Sequence, residues 1–146
     1  LLYDEEEIDA MFDTYEKDAY TFMILSLLYP ELNYDEIEFH QDYMHPHASF
    51  EEENLNNLIL PNNNVIDENK KEEWRRRRNT LANLQLLEGS KNEHKNAISL
   101  IDWLEEYGEE NVKYLPKDVS YDLSNFEEFM IKRQELMSKE LKKLLL

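Results

Sequence analysis

The sequence predicts a mostly helical α+β domain, and three observations predict it. Glycine occurs only twice in 146 residues, while Glu, Lys and Leu, all good helix formers, are abundant. Only two stretches read as strands, Ile37 to Met44 and Asn83 to Leu87. Helix-start signals recur along the chain: Ser49 with Glu52, Asp67, Ser90 with Glu93, and Ser124 with Glu127. A chain of this length suits one domain, residues 1–146, with a modest but real core.

Taken in order, residues 4–15 predict a short acidic amphipathic helix with Ile8, Met11, Phe12 and Tyr15 on one face. Residues 17–28 predict a buried helix ended by Pro30. A loop with turn residues Asn33 and Asp35 leads to the first strand, where Ile37, Phe39, Gln41 and Tyr43 alternate with Glu38, His40, Asp42 and Met44. Pro46 ends it. Residues 49–58 predict a helix capped by Ser49, and Pro61 to Asn64 a loop. Residues 67–78 predict a charged helix capped by Asp67. After the second strand, Ser90-Lys91-Asn92-Glu93 forms a capping box opening a helix over 91–107, with Ile98, Ile101 and Leu104 as its apolar stripe and Gly108 as its stop. Residues 109–123 are irregular, broken by Pro116, and 124–145 predict a last helix capped by Ser124. Trp74 and Trp103 read as core.

The composition narrows the function. There is no cysteine, so disulfides and cysteine-ligated zinc are excluded. The apolar run 19–29 is too short to span a bilayer, and no charged segment of a leader precedes it; a cytoplasmic protein without membrane attachment is expected. The formal net charge of −17 opposes nucleic-acid binding by the surface as a whole, because phosphates repel acidic faces. Basic residues concentrate at Lys70, Lys71 and the run Arg75, Arg76, Arg77 and Arg78, which reads either as a phosphate-contacting patch or as an exposed helix face balanced by Glu72 and Glu73.

Two segments carry chemistry. The first is His40-Gln41-Asp42-Tyr43-Met44-His45-Pro46-His47-Ala48-Ser49. The second begins at Asn83, with Asn92 nine positions on and Lys95 three beyond that. Together, in this order, they resemble the two halves of the HNH, or ββα-metal, nuclease motif. With the apolar segment Ala19 to Pro30 and the stretch Ile101-Asp102-Trp103-Leu104, they are similar to the C-terminal region of the GmrSD-like, modification-dependent restriction family. The resemblance spans roughly residues 19–105, with a motif core over about 37–107 and helical flanks at 4–30 and 124–145.

The resemblance implies a ββα-metal core and hydrolysis of DNA phosphodiesters in a bacterial restriction or anti-phage system. It implies one divalent cation, Mg²⁺ or Mn²⁺ and not zinc, held by Asp42 and Asn92. Asn83 would orient the loop or the base, and Lys95 with Arg75 to Arg78 would hold phosphates. It also implies an N-terminal ParB-like nucleotide-hydrolysing domain, and a start at Leu1 without Met fits a C-terminal fragment of a longer protein. One position departs from the motif: Tyr43 stands where the general-base histidine belongs. A phenol with a reference pKa near 10 does not suit that role at neutral pH. Either a nearby imidazole, His45 or His40, substitutes for it, or Tyr43 is an introduced, inactivating substitution, or the chain is a catalytically silent relative that binds nucleic acid or a partner protein. A helical interaction module with a fortuitous motif match is the remaining reading. The cluster His40, His45 and His47 lacks the spacing of a tetrahedral zinc site.

Overall fold

The computed structural model describes residues 3–89, 91 and 97–146. It is an α+β arrangement in which helices surround a two-stranded antiparallel sheet. The helices are α1 (Glu5–Met11), α2 (Ala19–Leu28), α3 (Glu52–Asn56), α4 (Glu68–Arg77), α5 (Leu100–Tyr107) and α6 (Phe126–Leu145). The strands are β1 (Phe39–Tyr43) and β2 (Leu84–Glu88), paired so that Asp42 lies opposite Gln85 and Tyr43 opposite Leu84. Single 3-10 turns at His47–Phe50, Leu81–Asn83, Glu109–Asn111 and Leu123–Asn125 join these elements. No described helix is long and apolar enough to cross a membrane.

The core forms because each helix offers one apolar stripe to the sheet or to α6. Ile8 and Met11 of α1, Ile24, Leu25 and Leu28 of α2, and Trp74 of α4 are buried. On α6 the stripe is Phe126, Phe129, Met130, Met137 and Leu141, at the three- and four-residue spacing that keeps side chains on one helix face. Arg133 interrupts this stripe and is fully buried. Its guanidinium donates to the carbonyls of Ala82 at 3.0 Å, Leu84 at 2.6 Å and Tyr114 at 3.2 Å, and to the Tyr29 hydroxyl at 3.1 Å. It therefore ties α6 to the entry of β2 through otherwise orphaned backbone acceptors.

A second buried cation braces the other flank. Lys71 of α4, 4% exposed, meets Glu52 at 2.6 Å and Glu68 at 2.9 Å and also donates to Asn56. Long amphipathic side chains are buried this way only when their heads are paired.

Several boundaries differ from the sequence expectation, each for a local reason. Helix α1 ends at Met11 rather than 15, because the Thr14 hydroxyl donates to the Met11 carbonyl and the chain turns through Lys17 at φ 72°. Tyr15 then bridges to Thr80 and is exposed instead of joining the core. Ser49 does not cap a helix over 49–58; it lies inside a 3-10 turn, and α3 starts later with no side-chain cap. Ser124 does not cap α6 either. Its N–H and hydroxyl both donate to Asp122, which caps a 3-10 turn one step earlier.

The expected continuous helix over 91–107 is also corrected. Gly89 and Lys91 are helical, but 97–99 are not, and α5 opens at Leu100 with the Ser99 hydroxyl accepting from Asp102 N at 3.2 Å. Its buried positions are Leu100, Trp103 and Leu104; Ile101 is exposed. Asp67 caps α4 as expected, accepting from Lys70 N at 2.8 Å, and Gly108, at φ 95°, stops α5 in a conformation that disfavours other residues. The Ser90–Glu93 capping box lies outside the described residues.

Candidate functional site

Strand alternation decides which side chains share a face. Phe39, Gln41 and Tyr43 lie on one face of the sheet with Leu84, Leu86 and Glu88; His40 and Asp42 lie on the other with Gln85 and Leu87. Gln41 fastens the chain before α2 to the sheet, its amide oxygen accepting from Lys17 N at 3.1 Å. This brings Lys17 to the edge of the Tyr43 face. Asp42 is 5% exposed, and Gln85 Nε2 donates to its Oδ2 at 3.1 Å.

Asn83 is the hinge of the site. It is fully buried, just before β2, and reaches across to the turn that follows β1. Its Oδ1 accepts from His45 N at 2.9 Å, and its Nδ2 donates to the His45 carbonyl at 3.0 Å and to the Arg78 carbonyl at 2.8 Å. The Asn83 carbonyl also accepts from Met44 N at 2.8 Å. One amide thus holds three chain segments: the turn after β1, the end of α4 and the start of β2. A primary amide offers a donor pair and an acceptor within one rigid plane, which suits this task.

Tyr43 donates from its hydroxyl to Asn79 Oδ1 at 2.8 Å. Burial pushes its phenol up to about 12, and the Glu16 charge adds to this against the opposing pull of Arg78. At neutral pH it is a protonated phenol anchored as a hydrogen-bond donor. His47, exposed at the start of its 3-10 turn, lies with its ring centroid 5.9 Å from that of Tyr43. Burial lowers its pKa below the usual histidine value, with the positive charges of Arg78 and Lys17 acting in the same direction and Glu51 opposing them.

His45 has a different environment. It is 2% exposed, edge-on to Phe129 at 4.8 Å and Phe126 at 5.6 Å, under the turn and away from solvent. His40 is exposed on the Asp42 face, where a Cβ at Gly89 would come within 3.1 Å of its Nε2.

The four arginines fan out around the helix axis, as 100° per residue dictates. Arg75 donates to the Phe50 carbonyl at 3.0 Å and to Glu52 at 2.9 Å. Arg76 and Arg77 line a small hollow with Asp9 and Asp13 of the α1 region. Arg78 turns towards Tyr43, its guanidinium 5.7 Å from the Phe50 ring centroid. Among the described residues no acceptor meets that guanidinium, and its Nε is buried without a hydrogen bond. Burial lowers its pKa, an effect countered in part by Tyr43.

The structure therefore brings Tyr43, Asn83 and Arg78 into one corner, leaves Asp42 next in sequence on the opposite face of the sheet, and directs Arg75, Arg76 and Arg77 elsewhere. Asn92 and Lys95 lie outside the described residues. Sequence reading missed Gln85, Asn79 and Arg133, and did not separate His47 from the other imidazoles. For Arg133 a signal existed: a charged residue on an otherwise apolar helical stripe. Asn79 and Gln85 carried none, because an isolated amide has no period.

Among the described residues no three His, Cys, Asp or Glu side chains cluster as a metal cage. A small hard cation that keeps most of its water shell needs only one or two protein carboxylates. Asp42 supplies one such carboxylate, although it is 5% exposed and the amide beside it, Gln85, presents a donor rather than an oxygen. No protein-family model matches the chain, and no curated protein sequence matches it.

Proposed function

We propose that this chain is an HNH-like domain that hydrolyses DNA phosphodiesters with one Mg²⁺ or Mn²⁺ ion. The observation that carries the reading is the bidentate grip of Asn83 on the His45 backbone, which fixes the turn directly after Asp42 and Tyr43. A motif asparagine in that role, opening the second of two antiparallel strands, is what the ββα-metal resemblance implies. The site chemistry follows from the residues. Asp42 would supply a hard anionic oxygen, and Asn92 a neutral one. The bound cation would stabilise charge on the scissile phosphate and the leaving oxygen. Arg78 would hold a phosphate oxygen, and Asn83 would keep the turn from shifting as the substrate enters. On this reading Lys95 contributes a further phosphate contact, and an N-terminal ParB-like domain and a restriction role belong to the whole protein.

A second reading is favoured by Tyr43 itself. A phenol held at about 12 and donating to Asn79 does not take a proton from water. The domain would then bind nucleic acid or a partner protein without turnover. Plasmid nicking with Mg²⁺ or Mn²⁺ separates the two. Cleavage abolished by Asp42→Ala establishes the first; salt-sensitive DNA binding without cleavage, unchanged by either ion, establishes the second. Absence of both binding and cleavage removes nucleic acid as the substrate class.

A further inference from the structure

The proposed reaction lacks a base at position 43, yet an imidazole lies against that side chain. We propose that His47 is the residue that accepts the proton of the attacking water, from its seat against the Tyr43 ring. This rests on the phosphodiesterase reading above and extends it.

His47 follows the segment that Asn83 grips, with Pro46 between them stiffening the approach. Its turn is closed by Ser49 N donating to the Pro46 carbonyl at 3.0 Å, and Asn54 Nδ2 donates to the Ala48 carbonyl at 3.0 Å. The imidazole is thus exposed to solvent and substrate on a turn held from two sides. His45 is packed against phenyl rings and does not share this exposed position.

The charges around it suit the task. Arg78 acts on both Tyr43 and His47, and Lys17 acts on His47, which places two cations around one imidazole. The acidic group acting on it is Glu51, beside its turn, while Glu16 acts on its neighbour Tyr43. Burial first, and the two cations with it, lower the imidazole's pKa against the pull of Glu51, which favours the neutral form a base requires. They also attract a phosphodiester. In a chain with 33 acidic residues, a part-buried guanidinium with no carboxylate partner among the described residues is a ready anion receptor.

The water oxygen bonds to phosphorus while its proton passes to His47. The bond from phosphorus to the leaving sugar oxygen breaks; that oxygen keeps the electron pair and takes a proton from solvent. His47 then returns its proton to solvent, and one water is consumed.

The test compares four forms of the chain on supercoiled plasmid with Mg²⁺ or Mn²⁺: the chain itself, His47→Ala, Tyr43→His, and the double variant, each checked for folding by circular dichroism. The chain is expected to nick. His47→Ala should slow it by about 10²–10⁴, and the double variant, with an imidazole at 43, should recover activity. A rate unchanged in His47→Ala, or a loss that Tyr43→His does not rescue, overturns the base role and leaves the phosphodiesterase reading intact. Cleavage that appears only after Tyr43→His does the same. No cleavage by any form overturns both. A readout without metal or DNA stands beside these: the NMR titration midpoint of His47 should lie below the usual ~6.5 and rise in Arg78→Ala. A midpoint at or above that value, or one unmoved by Arg78→Ala, overturns the charged corner on which the role depends.

Discussion

Lys71 and Arg78 lie two turns apart, one within α4 and the other just past its end, and the fold treats them in opposite ways. Lys71 is buried among Glu52, Glu68 and Asn56, its charge met from three sides. Arg78 faces the Tyr43 corner with no acceptor on its guanidinium among the described residues. Acidic side chains are abundant on this chain, so their absence from Arg78 among the described residues is not for want of supply. Lys71 is neutralised by the fold, whereas under the proposed function Arg78 is left for a phosphate to neutralise. Arg133 is a third case, buried yet met only by backbone carbonyls and a hydroxyl. It sets strand position and leaves the carboxylates elsewhere.

That contrast can be broken by substitution. The largest effect is expected for Arg133→Ala, which opens a cavity and strands three carbonyls; a stability loss of about 4 kcal/mol by chemical denaturation is predicted. A loss below about 1 kcal/mol would show that the clamp is dispensable. Asn83→Ala removes three hydrogen bonds to buried backbone groups and should cost about 3 kcal/mol. Asn83→Asp, which keeps the acceptor but loses both donations, should fall between that variant and the parent.

Arg78→Ala is the sharper probe of the comparison. It removes only a ring contact, so stability should change by less than about 1 kcal/mol. DNA binding should weaken, with the salt slope falling by about 1, as expected for one lost phosphate contact. Lys71→Ala should do the reverse, lowering the denaturation midpoint with binding retained. If Arg78→Ala unfolds the chain, the division between the two cations fails.

The smallest effect concerns acid. The carboxyl of Glu52 is held below its ordinary value by hydrogen bonds from Lys71 and Arg75. A depressed folded-state pKa contributes stability that is present above the unfolded value, about 4.3, and is lost as pH falls through the folded one. The melting midpoint should therefore drop on acidification below about pH 4, and by less in Glu52→Gln. An identical drop in both would remove Glu52 from the acid response.

Much of this arrangement was legible in the residues themselves. Two strand patterns in a helical sequence gave the α+β class, and their registers bring Asp42 and Asn83 to one end of the sheet. Local chemistry was readable where one cap suffices, as at Asp67 and Gly108. It misled where two polar residues compete within a turn: Asp122 outbids Ser124, and Ser99 starts α5 well after the expected position. The arginine run could not be resolved in one dimension. Helical rotation sends each guanidinium to a different neighbour, and only the fold reveals which neighbour is an acid. His47 was hidden for the same reason, since sequence gives its proximity to His45 but not the side of the turn it occupies.

Asn83 and His45, the two ends of the central grip, are separated in sequence by 38 residues. Between them lies the exposed bend at Asn62 and Asn63, the latter in a left-handed conformation. Each side of that bend carries only half of the corner: Tyr43 and His47 before it, Arg78 and Asn83 after it. The site is therefore bipartite by design of the chain path, and a backbone nick at this bend should leave two pieces whose reunion can be followed through the recovery of the corner itself.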